Sequence, residues 1–213
     1  MTRPRVLIAD DHHILVEGVR RILENDYEIA GTATNGRELI ELAARVAADV
    51  VVIDVGMPQM NGIEAARRLR EASPGLKIVF LTQQTDRAYI HEAFRSGGNA
   101  YVLKQTASSE LIEAIQEAMA GRYYVSPSIA SDDKKLVFDP NKNPSELFGG
   151  NLTPRQREVL QLVAEGKGAK EIAGIMGISV KTVEFHKSAI MDELGLRTTA
   201  ELTRYALEHG ILT

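Results

Sequence analysis

Val50-Val51-Val52-Ile53-Asp54 runs four β-branched residues straight into a carboxylate, and Val6-Leu7-Ile8-Ala9-Asp10-Asp11 repeats the design near the start of the chain. Short apolar runs of this composition read as strands. Three more follow, at Glu28 to Ala33, Ile78-Val79-Phe80-Leu81 and Ala100-Tyr101-Val102-Leu103. Between and after them lie helical patterns near residues 13–24, 36–47, 62–72, 87–96 and 109–120, the last with Leu111, Ile112, Ile115 and Met119 at helical spacing. Strand alternating with helix calls for right-handed crossovers and a parallel sheet covered on both faces. The expected fold of residues 1–125 is therefore an α/β doubly wound, five-stranded parallel sheet. Ligands of such sheets sit beyond the carboxyl ends of the strands, so those ends are where chemistry is sought.

The pattern breaks down over residues 126–150 into Ser, Asp, Lys, Asn, Pro and Gly, including Asp139-Pro140-Asn141-Lys142-Asn143-Pro144 and Gly149-Gly150. This segment reads as a linker. Its apolar islands, Leu136-Val137-Phe138 and Leu147-Phe148, are available to dock on a neighbouring domain. Residues 151–213 show no strand signal, only four short helical patterns. Thr153-Pro154-Arg155-Gln156 offers an N-cap, a proline at the first helical position and a closing Gln, and Thr198-Thr199-Ala200-Glu201 repeats the box. Between them, Lys170 to Met176 and Val180 to Leu194 are separated by Gly177-Ile178-Ser179, where Gly177 ends one helix and Ser179 caps the next. Two helices joined by so short a turn predict a helix-turn-helix in a small all-α domain.

At 213 residues, two domains are the natural division. With 44% hydrophobic residues the chain can bury a core, and with no cysteine it has neither disulfides, a thiolate metal site nor a thiol nucleophile. The opening Met-Thr-Arg-Pro-Arg leads into an apolar run too short for a signal peptide or a membrane span, so a cytoplasmic protein without a membrane partner is expected. A net charge of −4 requires any contact with nucleic acid to be local.

Asp10 and Asp11 follow the first strand, Asp54 the third, Thr82 ends the fourth and Lys104 follows the fifth. Each alone has a bland reading, since Asp begins turns, Thr ends strands and Lys points into water. Their coincidence at one sheet edge favours a site. Three carboxylates brought together repel and need cations. Mg²⁺, or Mn²⁺, suits them, because it accepts few carboxylates and takes phosphate oxygens in its remaining positions. The ion and the Lys104 ammonium balance the three charges. An incoming phosphoryl group would then be held by metal, Lys104 and the Thr82 hydroxyl, leaving Asp54 as the nucleophile and an acyl phosphate as the product.

Asp10-Asp11, the stretch Asp54-Val55-Gly56-Met57-Pro58-Gln59-Met60-Asn61-Gly62, Leu81-Thr82 and Ala100-Tyr101-Val102-Leu103-Lys104 resemble the receiver domain of bacterial two-component response regulators, with matching spacing over residues 5–121. The resemblance implies a flavodoxin-like sheet in the order 2-1-3-4-5. It makes Asp54 the phosphoacceptor, charged by a sensor histidine kinase. Asp10, Asp11 and Asp54 with the Gly56 carbonyl become the metal ligands, Lys104 the partner of the phosphoryl oxygen, and Thr82 and Tyr101 a switch pair. In that scheme Thr82 turns to the phosphoryl group and the Tyr101 ring rotates inward; the plain alternative is an ordinary strand aromatic. Met57, Pro58 and Gly62 serve as scaffold. Gln84, two residues after Thr82, either positions water or lines the pocket. Such a protein is not an enzyme in the ordinary sense, although it assists its own phosphorylation and dephosphorylation.

Leu152-Thr153-Pro154-Arg155-Gln156-Arg157-Glu158-Val159-Leu160, with Glu165-Gly166-Lys167, Glu171-Ile172-Ala173, Ile178-Ser179-Val180-Lys181-Thr182-Val183 and His186, is similar to the LuxR-type helix-turn-helix. Joined to a receiver it implies the NarL/FixJ class, which controls transcription at promoter DNA. Periodicity places Val183, Ile190 and Leu194 on one face of the 180–194 helix and Lys181, Phe185, Ser188 and Asp192 on the other. The second face is the one expected in the major groove. Base reading falls to Thr182, Glu184, Phe185 and Ser188, and phosphate contacts to Lys170, Lys181 and Lys187. His186 either joins those contacts or packs between helices.

Residues 151–213 carry eight Lys or Arg and eight Asp or Glu. With Asp192-Glu193 standing where relatives carry basic residues, one copy should bind DNA poorly and a phosphorylated homodimer is the expected working state. Thr199 to Leu207 is by resemblance a dimer helix, though its apolar positions equally suit the inside of the module. A phosphatase with an aspartyl intermediate is disfavoured, because its second carboxylate would stand where Gly56 is. A ligand-gated LuxR-type regulator would need an apolar sensor pocket. A receiver acting through protein contacts, with weak or lost DNA binding, stays open as the alternative.

Overall fold

The computed structural model describes residues 3–130, 152–208 and 211. They form two compact units, one on each side of the undescribed segment 131–151. Leu136-Val137-Phe138 and Leu147-Phe148 lie outside the described residues.

The first unit runs β1 (Arg5–Ala9), α1 (His13–Leu23), β2 (Glu28–Ala33), α2 (Gly36–Arg45), β3 (Val50–Ile53), α3 (Gly62–Ala72), β4 (Lys77–Thr82), α4 (Arg87–Arg95), β5 (Ala100–Leu103), a single 3₁₀ turn (Lys104–Thr106), α5 (Ala107–Met119), β6 (Tyr124–Val125) and α6 (Pro127–Ala130). The sheet is wholly parallel, in the order β2-β1-β3-β4-β5-β6. The five expected strands hold the expected order. A sixth, of two residues, pairs Tyr124 and Val125 with Ala100 and Tyr101; two residues are too few to show any period in sequence.

Ser126, read from sequence as the first linker residue, is fully buried at this edge. Its N–H donates to the Tyr101 carbonyl at 2.9 Å, its hydroxyl accepts the Leu103 N–H at 3.0 Å and donates to the Glu110 carboxylate.

Alternation along the strands divides the core between the two faces. Val6, Ile8, Val50, Val52, Val79, Leu81, Ala100 and Val102 pack with Val16, Val19 and Leu23 of α1 and Leu111, Ala114 and Ile115 of α5. Leu7, Val51, Ile53, Ile78, Phe80 and Tyr101 alternate with them and are as deeply buried. Asparagine starts two of the helices on this unit. Asn35 accepts the Glu38 N–H at 3.0 Å and Asn61 accepts the Glu64 N–H at 2.9 Å, each satisfying a donor that the first turn leaves open.

The second unit is α7 (Pro154–Ala164), α8 (Ala169–Met176), α9 (Val180–Leu194) and α10 (Thr199–Glu208). Both expected capping boxes form: Gln156 Nα donates to Thr153 Oγ1 at 3.3 Å and Glu201 Nα to Thr198 Oγ1 at 3.2 Å, with both acidic or amide side chains reaching back. Gly177 takes a left-handed φ of 64° to end α8, and Ser179 accepts the Thr182 N–H at 3.1 Å to begin α9. Val159, Leu160, Leu162, Ile172, Met176, Val183, Ile190, Leu202 and Ala206 form one core. Leu202 and Ala206 of α10 are therefore inside the module, whereas Leu207 is exposed. Among the described residues no helix is long and apolar enough to cross a membrane.

Candidate functional site

Register assembles the site. Ala9 pairs with Ile53 and Ile53 with Phe80, so Asp10, Asp54 and Leu81-Thr82 leave the sheet side by side. Thr82 pairs with Leu103, which places Lys104 at the same edge. The Asp54 N–H donates to the Ala9 carbonyl at 2.8 Å and the Asp10 N–H to the Ala33 carbonyl at 3.1 Å, extending the ladder just past the strand ends.

Lys104 Nζ stands 2.7 Å from Asp10 Oδ2 and 2.7 Å from Asp54 Oδ2, with all three side chains 6% exposed. Burial pushes the Asp54 carboxyl above its ordinary range, and the Lys104 hydrogen bond and charge only partly offset this. Burial alone would lower the Lys104 ammonium, but its bonds to Asp10 and Asp54 outweigh it and the net direction is upward. Two buried carboxylates thus share one cation. Asp11 completes the acidic set. Its Oδ1 is closed to water and accepts no hydrogen bond, although His12 Nδ1, which bonds Asp10 Oδ1 at 3.1 Å, lies 3.0 Å away. A buried, unsatisfied anionic oxygen beside two further carboxylates is what a divalent cation would satisfy, and an all-carboxylate set suits Mg²⁺. Asp10, Asp11, His12 and Asp54 offer ligand atoms that all lie within 4.8 Å of one another. The Gly56 N–H donates to Asp54, and Gly56 itself is half-buried at the pocket's rim.

The glycine at position 62 is dictated by Asp54. A Cβ there would stand 2.0 Å from the Asp54 carbonyl oxygen, while the Gly62 N–H already bonds the Val55 carbonyl at 2.9 Å. Gly62→Ala must therefore displace the backbone that carries Asp54. It should cost about 2–4 kcal/mol, read from urea unfolding, because the obstacle is main chain and cannot rotate away.

Thr82 and Tyr101 are both buried, Tyr101 completely. The Tyr101 hydroxyl donates to the Gln84 carbonyl at 2.9 Å, and the Gln84 N–H donates to Thr82 Oγ1 at 3.2 Å. One peptide unit's neighbours thus join the two residues, and the Tyr101 ring occupies the inward position against Phe80, with centroids 6.3 Å apart. Burial raises the phenol well above its ordinary value, keeping it a neutral donor. The sequence left Gln84 as a water-positioning or lining side chain; its main chain bonds both members of the pair.

His12 was not singled out from sequence. The signal available was its place directly after the Asp10-Asp11 pair, and the structure turns its ring back onto both carboxylates.

In the second unit α9 shows the expected two faces. Val183 and Ile190 are buried, Lys181, Glu184, Ser188 and Asp192 are exposed, and Phe185 stands 69% exposed. Lys170 on α8 is exposed as well. Five of the named residues have local engagements. Thr182 Oγ1 lies 2.8 Å from Ser179 Oγ within the cap, Lys187 Nζ lies 3.7 Å from Glu184, and the half-buried His186 ring meets Phe185 edge-on at 5.9 Å. Phe185 and Ser188 present the freest base-reading surface, and Lys170 and Lys181 the freest cations.

Two family models match the chain: "Response regulator receiver domain" over residues 6–116 and "Bacterial regulatory proteins, luxR family" over residues 150–206. The transcriptional regulatory protein MctR of Rhizobium johnstonii is 34% identical over 212 residues, spanning 98% of this chain and 95% of MctR. The oxygen regulatory protein NreC of Staphylococcus aureus is 35% identical over 215 residues, spanning 98% of this chain and 99% of NreC. Among solved structures, one of two RcsB dimers bound to two parallel DNAs is 27% identical with a TM-score of 0.58, covering 97% of this chain and 99% of that one.

Proposed function

Since the chain belongs to the two-component response regulators of the NarL/FixJ class, in which a receiver is joined to a LuxR-type DNA-binding domain, we propose that Asp54 accepts the phosphoryl group and that its modification controls binding of promoter DNA. The observation that carries this reading is the single ammonium of Lys104 shared between Asp10 and Asp54 in a buried pocket. An Mg²⁺ or Mn²⁺ ion held by Asp10, Asp11, Asp54 and the Gly56 carbonyl would supply charge neutralisation for an entering phosphoryl group. Lys104 releases one carboxylate contact to meet a phosphoryl oxygen, and Asp54 Oδ2, freed from it, attacks phosphorus to form the acyl phosphate as the phosphorus–nitrogen bond of the donor breaks and its imidazole leaves. The donor is a phosphohistidine of a sensor kinase. Thr82 turns its hydroxyl from the Gln84 N–H to the phosphoryl group; the Tyr101 ring, which the resemblance has rotating inward at that step, is already buried and bonded to the Gln84 carbonyl, so in this reading it is held there and not moved. Residues 1–125, with the edge that Ser126 and α6 extend to Ala130, carry this chemistry, the segment from there to residue 150 connects, and 151–213 read DNA. Regulation of transcription, not turnover of a substrate, is the output.

DNA contact falls to Phe185, Ser188, Glu184 and Thr182 at base edges and to Lys170, Lys181, Lys187 and His186 at phosphates. A module with equal numbers of acidic and basic residues has few phosphates to neutralise, so two copies bound together are the working state, as a homodimer formed on phosphorylation. Fragments selected from genomic DNA, titrated with and without acetyl phosphate and Mg²⁺, test this. The phosphorylated protein should bind with a slope of log affinity against log salt roughly twice that of a single module, and Lys181→Ala should reduce the slope by about two, one contact per copy. No binding to any fragment in either state would leave a receiver that signals through protein contacts alone.

A further inference from the structure

We infer that Ser126 is a positioning residue for the phosphoryl transfer, holding the end of β5 so that the Lys104 ammonium stands between its two carboxylates. This role rests on the reading of Asp54 as the phosphoacceptor and Lys104 as its cationic partner. Ser126 follows β6, is fully buried, and grips β5 on both sides of Val102. Its N–H donates to the Tyr101 carbonyl at 2.9 Å, and its hydroxyl accepts the Leu103 N–H at 3.0 Å. In a continuing parallel ladder that second N–H would go to a main-chain carbonyl of the edge strand. A side chain stands in for it here, and the main chain is free to turn into α6 at Pro127.

The hydroxyl has its direction imposed on it. Serine has one proton to donate, and it goes to the Glu110 carboxylate of α5, so a lone pair is what faces the Leu103 N–H. Helix α5 thus sets Ser126, and Ser126 sets Leu103. On its other side Leu103 pairs with Thr82 of β4, and its carbonyl accepts the Thr106 hydroxyl at 3.2 Å across the turn that carries Lys104. Leu103 is buried, so without the Ser126 hydroxyl its N–H must shift to find another acceptor, and Lys104, the next residue, shifts with it. The ammonium tolerates little of that. It stands 2.7 Å from Asp10 Oδ2 and 2.7 Å from Asp54 Oδ2, a bridging place that is lost by displacement toward either one. Ser126 itself bonds neither carboxylate and acts only through the strand.

Phosphorylation of the full chain is followed by intact mass over a range of acetyl phosphate concentrations in Mg²⁺, at a temperature where circular dichroism shows every variant folded. Ser126→Ala should lower the maximal rate about tenfold while half-saturating acetyl phosphate stays within about twofold, because a slightly misplaced group costs most in the transition state. Glu110→Ala keeps Ser126 but lets its hydroxyl rotate, and should lower the rate about threefold. Glu110→Gln still offers an oxygen acceptor and should return it to within about 1.5-fold of the wild type. Leu39→Ala, a cavity in the core beneath α2, costs at least as much stability and should keep the wild-type rate. Should Ser126→Ala not fold, the two Glu110 variants decide alone. Wild-type rates in Ser126→Ala and Glu110→Ala, or losses that Leu39→Ala reproduces, would overturn the role of Ser126. Lys104→Met keeps this apart from the underlying reading of the pocket. If Lys104→Met is phosphorylated as fast as the wild type, Lys104 is not the cationic partner and Ser126 has nothing to position. If it is slow while the Ser126 and Glu110 variants are not, only Ser126 loses its role.

Discussion

Asp54→Asn is expected to accept no phosphoryl group from acetyl phosphate and Mg²⁺, a loss of at least about a thousandfold in rate by intact-mass measurement, because an amide is not a nucleophile for this step. The same variant is expected to fold more stably. Asp54 is 5% exposed, and burial raises its pKa despite Lys104. A carboxyl with a raised folded-state pKa contributes stability below its unfolded pKa, and that contribution is lost as pH rises through the folded value. At neutral pH the ionised group therefore opposes folding. Replacing it should raise Tm by a few degrees, ~1 kcal/mol, in metal-free buffer, with the gain fading toward acid pH as the wild type becomes neutral too. A Tm that falls, or a gain independent of pH, would mean that the hydrogen bond to Lys104 outweighs the buried charge.

The outline of the receiver was legible because parallel sheets bury both faces, leaving runs such as Val50 to Ile53 that few other structures use. Helix starts were legible where chemistry marks them, as at Thr153 and Ser179. The start of α5 was not. The helix begins at Ala107, after a 3₁₀ turn at Lys104–Thr106, two residues ahead of the expected start at 109 and four ahead of Leu111, where the apolar period begins. β6 and the burial of Ser126 escaped for a related reason: both are set by partners on β5 and α5, distant in sequence, and not by any local pattern.

The site shows the same division. Asp10, Asp54, Thr82 and Lys104 were readable because strand ends place them, whatever their side chains do. His12 and the Gln84 main chain became visible only with side-chain directions and loop conformation in hand. On α9, helical period separated the buried from the exposed face correctly, but could not show that Thr182 spends its hydroxyl on the Ser179 cap.

Lys104→Met should move stability the opposite way from Asp54→Asn. Methionine keeps most of the stem's packing but removes the cation that stands 2.7 Å from both Asp10 and Asp54. The two carboxylates then face each other in a pocket where Asp54 is already held above its ordinary pKa with Lys104 as the main counterweight. Removing one partner of a buried ion pair leaves uncompensated charge, at a cost of about 3 kcal/mol at neutral pH without divalent ions. The deficit should shrink as pH falls through the raised Asp54 pKa, since a protonated carboxyl needs no cation, and should also shrink when Mg²⁺ is added. Urea unfolding at two pH values, with and without Mg²⁺, checks both dependences. A loss indifferent to pH and to Mg²⁺ would assign Lys104 to packing alone. Both variants should impair phosphorylation, yet one becomes more stable and the other less. The loss in Asp54→Asn therefore cannot come from unfolding, and opposite stability changes from two ends of one ion pair identify buried charge as their common cause.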